Sequence, residues 1–311
     1  MQQKDSNILI VDTSPHIFIG QTTESIMRDV VIALIPAAVA SFFFFGIGAL
    51  IVLTVSIIGC LGTEWIFCLI TKRPNTLKDT SALVTALLFA FCLPSSIPWP
   101  MVLFGSVVSI LIGKLIFGGL GFNLFNPALV GRAVLMASWP QEMTTWPKPG
   151  KIFLGAVDTL TQATPLADLK GYSASYMDLF LGNCGGSLGE TSALALLIGG
   201  LYLVFRGVIE LKIPMTFIGT VFVFSFILKV DPIYSILAGG VFLGAIFMAT
   251  DYVTSPITSK GKIIFGIGCG ILTVLIRAYG GFPEGVCYAI LFMNGLVPLI
   301  DKFTQPKIFG T

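Results

Sequence analysis

Long apolar runs separated by short polar turns dominate this 311-residue chain and restrict its fold more than any motif does. About ten are recognisable, at 25–47, 48–70, 80–94, 100–117, 125–139, 190–207, 213–228, 232–250, 262–279 and 284–303. Roughly 20 helical residues match the hydrocarbon core of a bilayer. Backbone polar groups find no partners in lipid, which leaves helices and closed barrels as the only spanning structures. The runs lack the period-two alternation of barrel strands, so helices are expected. Composition agrees, with 55% hydrophobic and 11% charged residues. The expected fold class is an all-α polytopic membrane protein with the lipid bilayer as its first partner. A net charge of +2 without a basic patch gives no nucleic-acid partner. The first two dozen residues are polar and mixed, without the charged-then-apolar order of a cleavable signal.

Lysine and arginine set the orientation. With the N-terminus inside, one set of loops carries Lys4, Arg28, Lys72, Arg73, Lys78, Arg206, Lys212, Lys260, Lys262, Lys302 and Lys307. The opposite set carries Lys148, Lys151, Lys170, Lys229 and Arg277. The excess on the first side predicts that both termini are cytoplasmic. The expected organisation is a cytoplasmic segment (1–24), a first membrane half (25–139), an external linker (140–189), a second membrane half (190–303) and a cytoplasmic tail (304–311). Cys60, Cys68, Cys92, Cys184, Cys269 and Cys287 show no Cys-x-x-Cys spacing and read as small packing residues. His16 is the single histidine, so no metal cluster is predicted.

The chain partly repeats itself. Phe104-Gly105, Ile110-Leu111, Lys114 and Gly118-Gly119 match Phe265-Gly266, Ile271-Leu272, Arg277 and Gly280-Gly281 with one gap. The offset of about 160 residues pairs the fourth run with the ninth. About five runs per half is an odd number, which predicts two halves of inverted topology. A second echo links Asp79-Thr80-Ser81-Ala82-Leu83 with Glu190-Thr191-Ser192-Ala193-Leu194 at a different offset. Both open an apolar helix with an acid and hydroxyls, which suits a helix N-terminus. Several runs are short or interrupted, at Leu93-Pro94-Ser95-Ser96, at Asn126-Pro127 and at Ala249-Thr250-Asp251. Such breaks either line a site near the midplane or punctuate loops at the interface.

The polar linker contains Asp158-Thr159-Leu160-Thr161-Gln162-Ala163-Thr164-Pro165-Leu166. Its Asp158, Thr161, Ala163 and Thr164 resemble the acceptor sequence of flavin transferases, which join FMN to a threonine hydroxyl through a phosphoester. The same residue types also build caps and turns. Within the apolar runs, Glu64 is either a cation ligand or an acid reaching the interface near Lys72 and Arg73. Arg132 would balance a phosphate, balance a buried acid or contact a neighbouring protein of an assembly, and with Glu64 it is a candidate for the ion pathway. Asp251 reads as a helix-end cap. Phe42 to Phe45 read as packing against lipid or a protein partner, and Trp99, Trp139 and Trp146 as interfacial anchors.

Three stretches carry a resemblance to a known family. They are Phe122-Asn123-Leu124-Phe125-Asn126-Pro127-Ala128-Leu129-Val130-Gly131-Arg132, Gly186-Ser187-Leu188-Gly189-Glu190-Thr191-Ser192-Ala193-Leu194, and Ala249-Thr250-Asp251 through Thr254-Ser255-Pro256. With Ser14-Pro15-His16-Ile17 and Tyr279-Gly280-Gly281-Phe282-Pro283-Glu284-Gly285, they resemble the RnfD proteins of Rnf complexes over nearly the whole chain. The NqrB proteins of the sodium-pumping NADH:quinone oxidoreductase share many of these motifs, usually with a longer amino-terminal extension. The resemblance implies a urea-transporter-like inverted-repeat fold in the bacterial inner membrane, with the flavin loop on the outer face. It implies electron transfer between ferredoxin and NAD, coupled to Na⁺ or H⁺ movement. It implies covalent FMN on Thr164, with Asp158, Thr161 and Ala163 completing the attachment motif, and a second, non-covalent flavin. Its implied partners are the other Rnf proteins (RnfA, RnfB, RnfC, RnfE and RnfG) and a flavin transferase for maturation. Gln162 departs from the family, which commonly has Gly there. Thr191 and Ser192, at a helix start, are candidates to hydrogen-bond the flavin phosphate, opposed by the charge of Glu190. A channel or transporter of the urea or ammonium type, without redox function, is the competing expectation.

Overall fold

The computed structural model describes residues 22–73, 76–147, 149, 175–190, 192–280 and 284–306. It is helical, with no β-strand among the described residues. The first pair is α1 (Thr23–Phe45) and α2 (Ile47–Thr71). Thr22 caps α1 by accepting from the Ser25 amide at 3.2 Å. Gly46, at φ 58°, reverses the chain between them, a left-handed position that glycine adopts without steric cost.

Next come α3 (Ser81–Phe91), α4 (Trp99–Ile110), α5 (Pro127–Ser138) and the single turn α6 (Pro140–Met143). A π-helical segment, Leu111–Leu115, continues α4. Beyond the linker lie α7 (Tyr176–Leu181), α8 (Ala193–Phe205), α9 (Lys212–Ile227), α10 (Pro232–Leu237) and α11 (Val241–Leu243). Gly244–Met248 extends α11 as a second π segment, and α12 (Ser259–Tyr279) and α13 (Val286–Thr304) complete the fold.

Every apolar run contains helix, but the runs are not equivalent. Among the described residues, α1, α2, α12 and α13 are the four helices long and apolar enough to cross a membrane. The run at 232–250 departs from the expected single segment. It breaks at Ala238, which is extended, and at Gly239, at φ 72°. α3, with 11 residues, extends about 16 Å, half the depth of the hydrocarbon.

These short pieces lie at the centre. Leu87 to Phe91 of α3 and Val241 to Ala249 are buried in one hydrophobic core with residues of α1, α5, α8 and α13. Broken backbone at membrane depth persists because protein surrounds it. The longer helices pack as α2 on α3 and α4, α1 on α8, α4 on α5, and α12 on α9 and α13. Small residues permit the close approaches. A Cβ on Gly199 would overlap the Ala33 carbonyl oxygen, and one on Gly266 would overlap Thr216 Oγ1. Helices gain no hydrophobic drive against lipid, so such backbone proximity carries their association.

Two opposite faces result. On the terminal face, Arg206 binds Asp29 at 3.1 Å, Lys262 binds Glu210 at 2.9 Å, and the hydroxyls of Thr258 and Thr304 bond each other. On the insert face, Ser96 donates to the Thr145 carbonyl at 3.2 Å. There Leu188 and Gly189 donate their amides to the carbonyls of Leu93 and Phe91 at 2.9 and 2.8 Å, closing the open end of α3. Tyr176 of α7 donates to the Asp231 carboxylate at the start of α10.

Candidate functional site

Two clusters of buried charge punctuate this core. Glu64, on α2, is fully enclosed and pairs with Lys114 of the first π segment at 2.9 Å. Lys114 Nζ also reaches the other Glu64 oxygen at 3.0 Å and donates to Ser81 Oγ at 2.6 Å. Ser81 Oγ donates onward to Asp79 at 2.6 Å, and the exposed Thr76 donates its hydroxyl to Glu64. A continuous hydrogen-bonded chain therefore runs from the terminal face to the buried pair. Glu64 is thus not an acid reaching outward to Lys72 and Arg73. Its partner is the ammonium that follows α4, and neither group tolerates burial alone.

The second cluster lies toward the insert face. Arg132 of α5 donates to Glu190 at 3.2 Å and pairs with Glu284, all three being buried. Of the three roles open to Arg132, the structure shows the balancing of a buried acid, here two of them. Arg277 donates to the carbonyls of Ser235 at 2.6 Å, Ala238 at 3.1 Å and Glu284 at 3.3 Å. A cation at the end of α10 satisfies carbonyls that the break leaves without helical partners.

Beside the Lys114 cluster is a cavity of about 80 Å³. Its walls are mostly apolar, including Val84, Leu88, Leu203, Ile246 and Phe247, and its polar lining includes Ser81, Lys114, Asn123, Asn126 and Asp251. Both π segments border it, through Lys114 and through Ile246 and Phe247. Asn126 caps α5 at 3.1 Å and donates to the Met248 carbonyl at 3.3 Å. Asp251 accepts from the Thr254 hydroxyl at 3.1 Å, within the turn that follows the second π segment. The buried Asn123 Oδ1 has no partner.

The attachment motif Asp158, Thr161, Ala163 and Thr164 lies outside the described residues, as does Thr191. Ser192 is described: its Oγ is buried and accepts from the Ala195 amide at 3.3 Å, capping α8. All six cysteines are free and buried, and the described residues contain no grouping of His, Cys, Asp and Glu able to hold a metal. Trp99 is exposed as an interfacial anchor would be, Trp139 packs edge-on against Phe104, and Trp146 is buried, contrary to expectation. The phenylalanine run divides between Phe43, which faces outward, and Phe45, which is fully enclosed. Sequence patterning does not single out Lys114, Glu284 and Asp29 as site residues. Their location within or beside apolar runs is the signal that marks them.

A helical bundle with four helices long and apolar enough to cross a membrane, and with ion pairs buried between its helices, defines a polytopic membrane protein. The particular lineage follows from comparison: the chain belongs to the NQR2, RnfD, RnfE family, whose model matches residues 10–310. It is 48% identical over 308 residues to the D subunit of the Na(+)-translocating ferredoxin:NAD(+) oxidoreductase complex of Acetobacterium woodii, covering 97% of this chain and 95% of that one. It is also 48% identical over 328 residues to the D subunit of the proton-translocating ferredoxin:NAD(+) oxidoreductase complex of Clostridium ljungdahlii, covering 99% and 98%. The D subunit of the ion-translocating oxidoreductase complex of Mannheimia succiniciproducens is 35% identical over 344 residues, covering 96% and 97%.

Proposed function

We propose that this chain is the membrane flavoprotein of the RnfD type in an ion-translocating ferredoxin:NAD oxidoreductase, carrying FMN on Thr164 and passing electrons coupled to Na⁺ or H⁺ movement. The observation that carries the reading is similarity over 97% of the chain, and 95% of the relative, to a protein named for that activity. It favours the redox role over a stand-alone urea or ammonium channel, which needs no acceptor threonine. The protein acts within the complex, with RnfA, RnfB, RnfC, RnfE and RnfG as partners and a flavin transferase for maturation. Asp158, Thr161 and Ala163 serve recognition by that transferase.

Inverted halves are supported by mirrored packing. α2 meets α3 and α4 as α9 meets the second π segment and α12, while α4 meets α5 as α12 meets α13. α1 contacts α3 as α8 contacts α11. The distribution of Lys and Arg favours cytoplasmic termini in a bacterial inner membrane, with Thr164 on the outer side.

A second, non-covalent flavin belongs to the same reading, but the cavity beside Lys114, at about 80 Å³, is too small to hold its ring. A bound isoalloxazine supplies one- and two-electron chemistry, and the chain supplies position and electrostatics. The test of the anchor is flavin fluorescence that stays with the denatured polypeptide after co-expression with the transferase. The Thr164→Val variant is expected to lose that fluorescence; unchanged fluorescence rules out Thr164.

A further inference from the structure

The cluster toward the insert face sets two buried acids on one guanidinium. Arg132 donates to Glu190 at 3.2 Å and pairs through its other nitrogen with Glu284. Arg132 and Glu284 are each 5% exposed, and Glu190 is 7% exposed. Arg277 is a further cation, but it donates to the carbonyls of Ser235, Ala238 and Glu284 and acts on Glu190 through space. Among the described residues, Glu284 Oε1 is buried without a hydrogen-bond partner. An ionised oxygen in such a place is costly unless a cation or a donor meets it. The other titratable groups here are Cys92 beside Arg132, and Cys287 and Tyr288 of α13. Cys287 donates its thiol hydrogen to the Leu129 carbonyl at 3.6 Å.

Room for a ligand lies at the same acid. Glu284 lines a cavity of about 10 Å³ with Arg132, Met136 and Cys287, the space of one water-sized species. The backbone fixes the acid there. Gly285 follows it at φ 58°, where a Cβ would come within 2.9 Å of the Thr273 carbonyl oxygen, and Arg277 holds the Glu284 carbonyl at 3.3 Å. Glu190 Oε1 instead packs against Gly240, where an added Cβ would lie 3.0 Å away. We propose that Glu284 binds one proton or one sodium ion in this small cavity, giving the insert face a cation site. The shared chemistry is a small monovalent cation, because the excess charge is one and the space admits one species. Arg132 then neutralises Glu190, the cation neutralises Glu284, and the three residues carry no net charge. A proton would form an O–H bond on Glu284 Oε1, whereas sodium would bind the intact carboxylate. The site deepens the proposed ion-translocating role and rests on it for its purpose, while the binding itself rests on the geometry.

Infrared difference spectra of the full chain, purified in detergent, read carboxyl groups directly. One arm replaces choline by sodium at fixed pH. The other raises pH in choline from about 6, where exposed acids are already ionised. The wild type is expected to shift one carboxylate band with sodium in the first arm, or to lose one protonated-carboxyl band in the second. Glu284→Gln, which leaves Arg132 and Glu190 as a neutral pair, is expected to fold and to lose that signal. Glu210→Gln, at an exposed acid of the terminal face, is expected to keep it. Wild-type spectra flat in both arms, or a signal that survives in Glu284→Gln, overturn the proposal. If Glu284→Gln does not accumulate, Glu284→Asp decides, because its shorter side chain must change the band or the half-saturating cation concentration. Spectra of Glu284→Asp identical to the wild type then overturn the proposal. Ion uptake by vesicles containing the whole complex tests the underlying role separately. If the wild-type complex moves no ion during electron transfer, that role falls whatever Glu284 binds. If ions move while the spectra stay flat, the proposal alone falls.

Discussion

At the scale of single residues, the buried charges carry most of the information. Glu64 is legible in the sequence because an acid within an apolar run is costly and therefore conspicuous. Its partner is not, since Glu64 and Lys114 are 50 positions apart and no local pattern joins them. The same holds for Arg132, which meets Glu190 across 58 positions. Sequence patterning reveals that such a charge needs a partner; the fold decides which one. Removing a single member leaves its partner buried and uncompensated. Glu64→Gln is expected to cost about 3–5 kcal/mol, and E64Q/K114M much less, because both charges leave together. Thermal unfolding of the detergent-solubilised chain checks this, and equal losses for the two variants would show that the pair contributes little. Arg132→Ala leaves Glu190 and Glu284 facing each other and is expected to lower the midpoint further than Arg206→Ala, whose guanidinium is half exposed.

At the scale of elements, hydropathy locates the helices and does not measure them. The runs at 25–47 and 48–70 match α1 and α2 within about two residues, because length and composition suffice for a lipid-facing span. The run at 232–250 forms three pieces, since a fully buried segment is apolar whether continuous or broken. The interrupted ends at Leu93-Pro94 and Asn126-Pro127 are visible because proline and asparagine punctuate helices.

Close packing gives this scale its prediction. Gly199→Val forces α8 away from the Ala33 carbonyl on α1 and is expected to abolish accumulation of folded protein in membranes. Gly62→Ala, with nothing within 4 Å of the added carbon, is expected to be tolerated or to stabilise α2 by up to about 1 kcal/mol. Membrane yield of the two variants, measured side by side, separates packing from propensity. On the terminal face, hydrogen bonds from Lys262 and Lys212 hold the Glu210 carboxyl below its ordinary value. A depressed carboxylate adds stability above its unfolded pKa of about 4.3 and loses it as pH falls through the folded value. The gap between wild type and Glu210→Gln is therefore expected to close at acid pH, and to stay within about 1 kcal/mol because the group is exposed.

At the scale of the whole molecule, the short helices α3 and α11, with the π continuation of α11, share one core, and hydrogen bonds from the Leu188 and Gly189 amides and from Arg277 satisfy the carbonyls at their breaks. A small cavity of about 80 Å³ at their junction is lined by Val84 and Leu88 of α3 and by Ile246 and Phe247 of the second π segment. The polar linker between the halves would hold its cofactor by a covalent bond, independent of how tightly the bundle binds it. Its anchor is legible only as a motif, because a phosphoester needs an accessible hydroxyl and a recognising transferase, and no long-range packing marks either. The central claim is that this chain carries flavin on Thr164. Mass spectrometry of the tryptic peptide from Ile152 to Lys170, taken from complex matured with its transferase, tests it most directly. The peptide is expected to carry the mass of one FMN phosphoester located on Thr164. An unmodified peptide, or flavin on another residue, would contradict the claim.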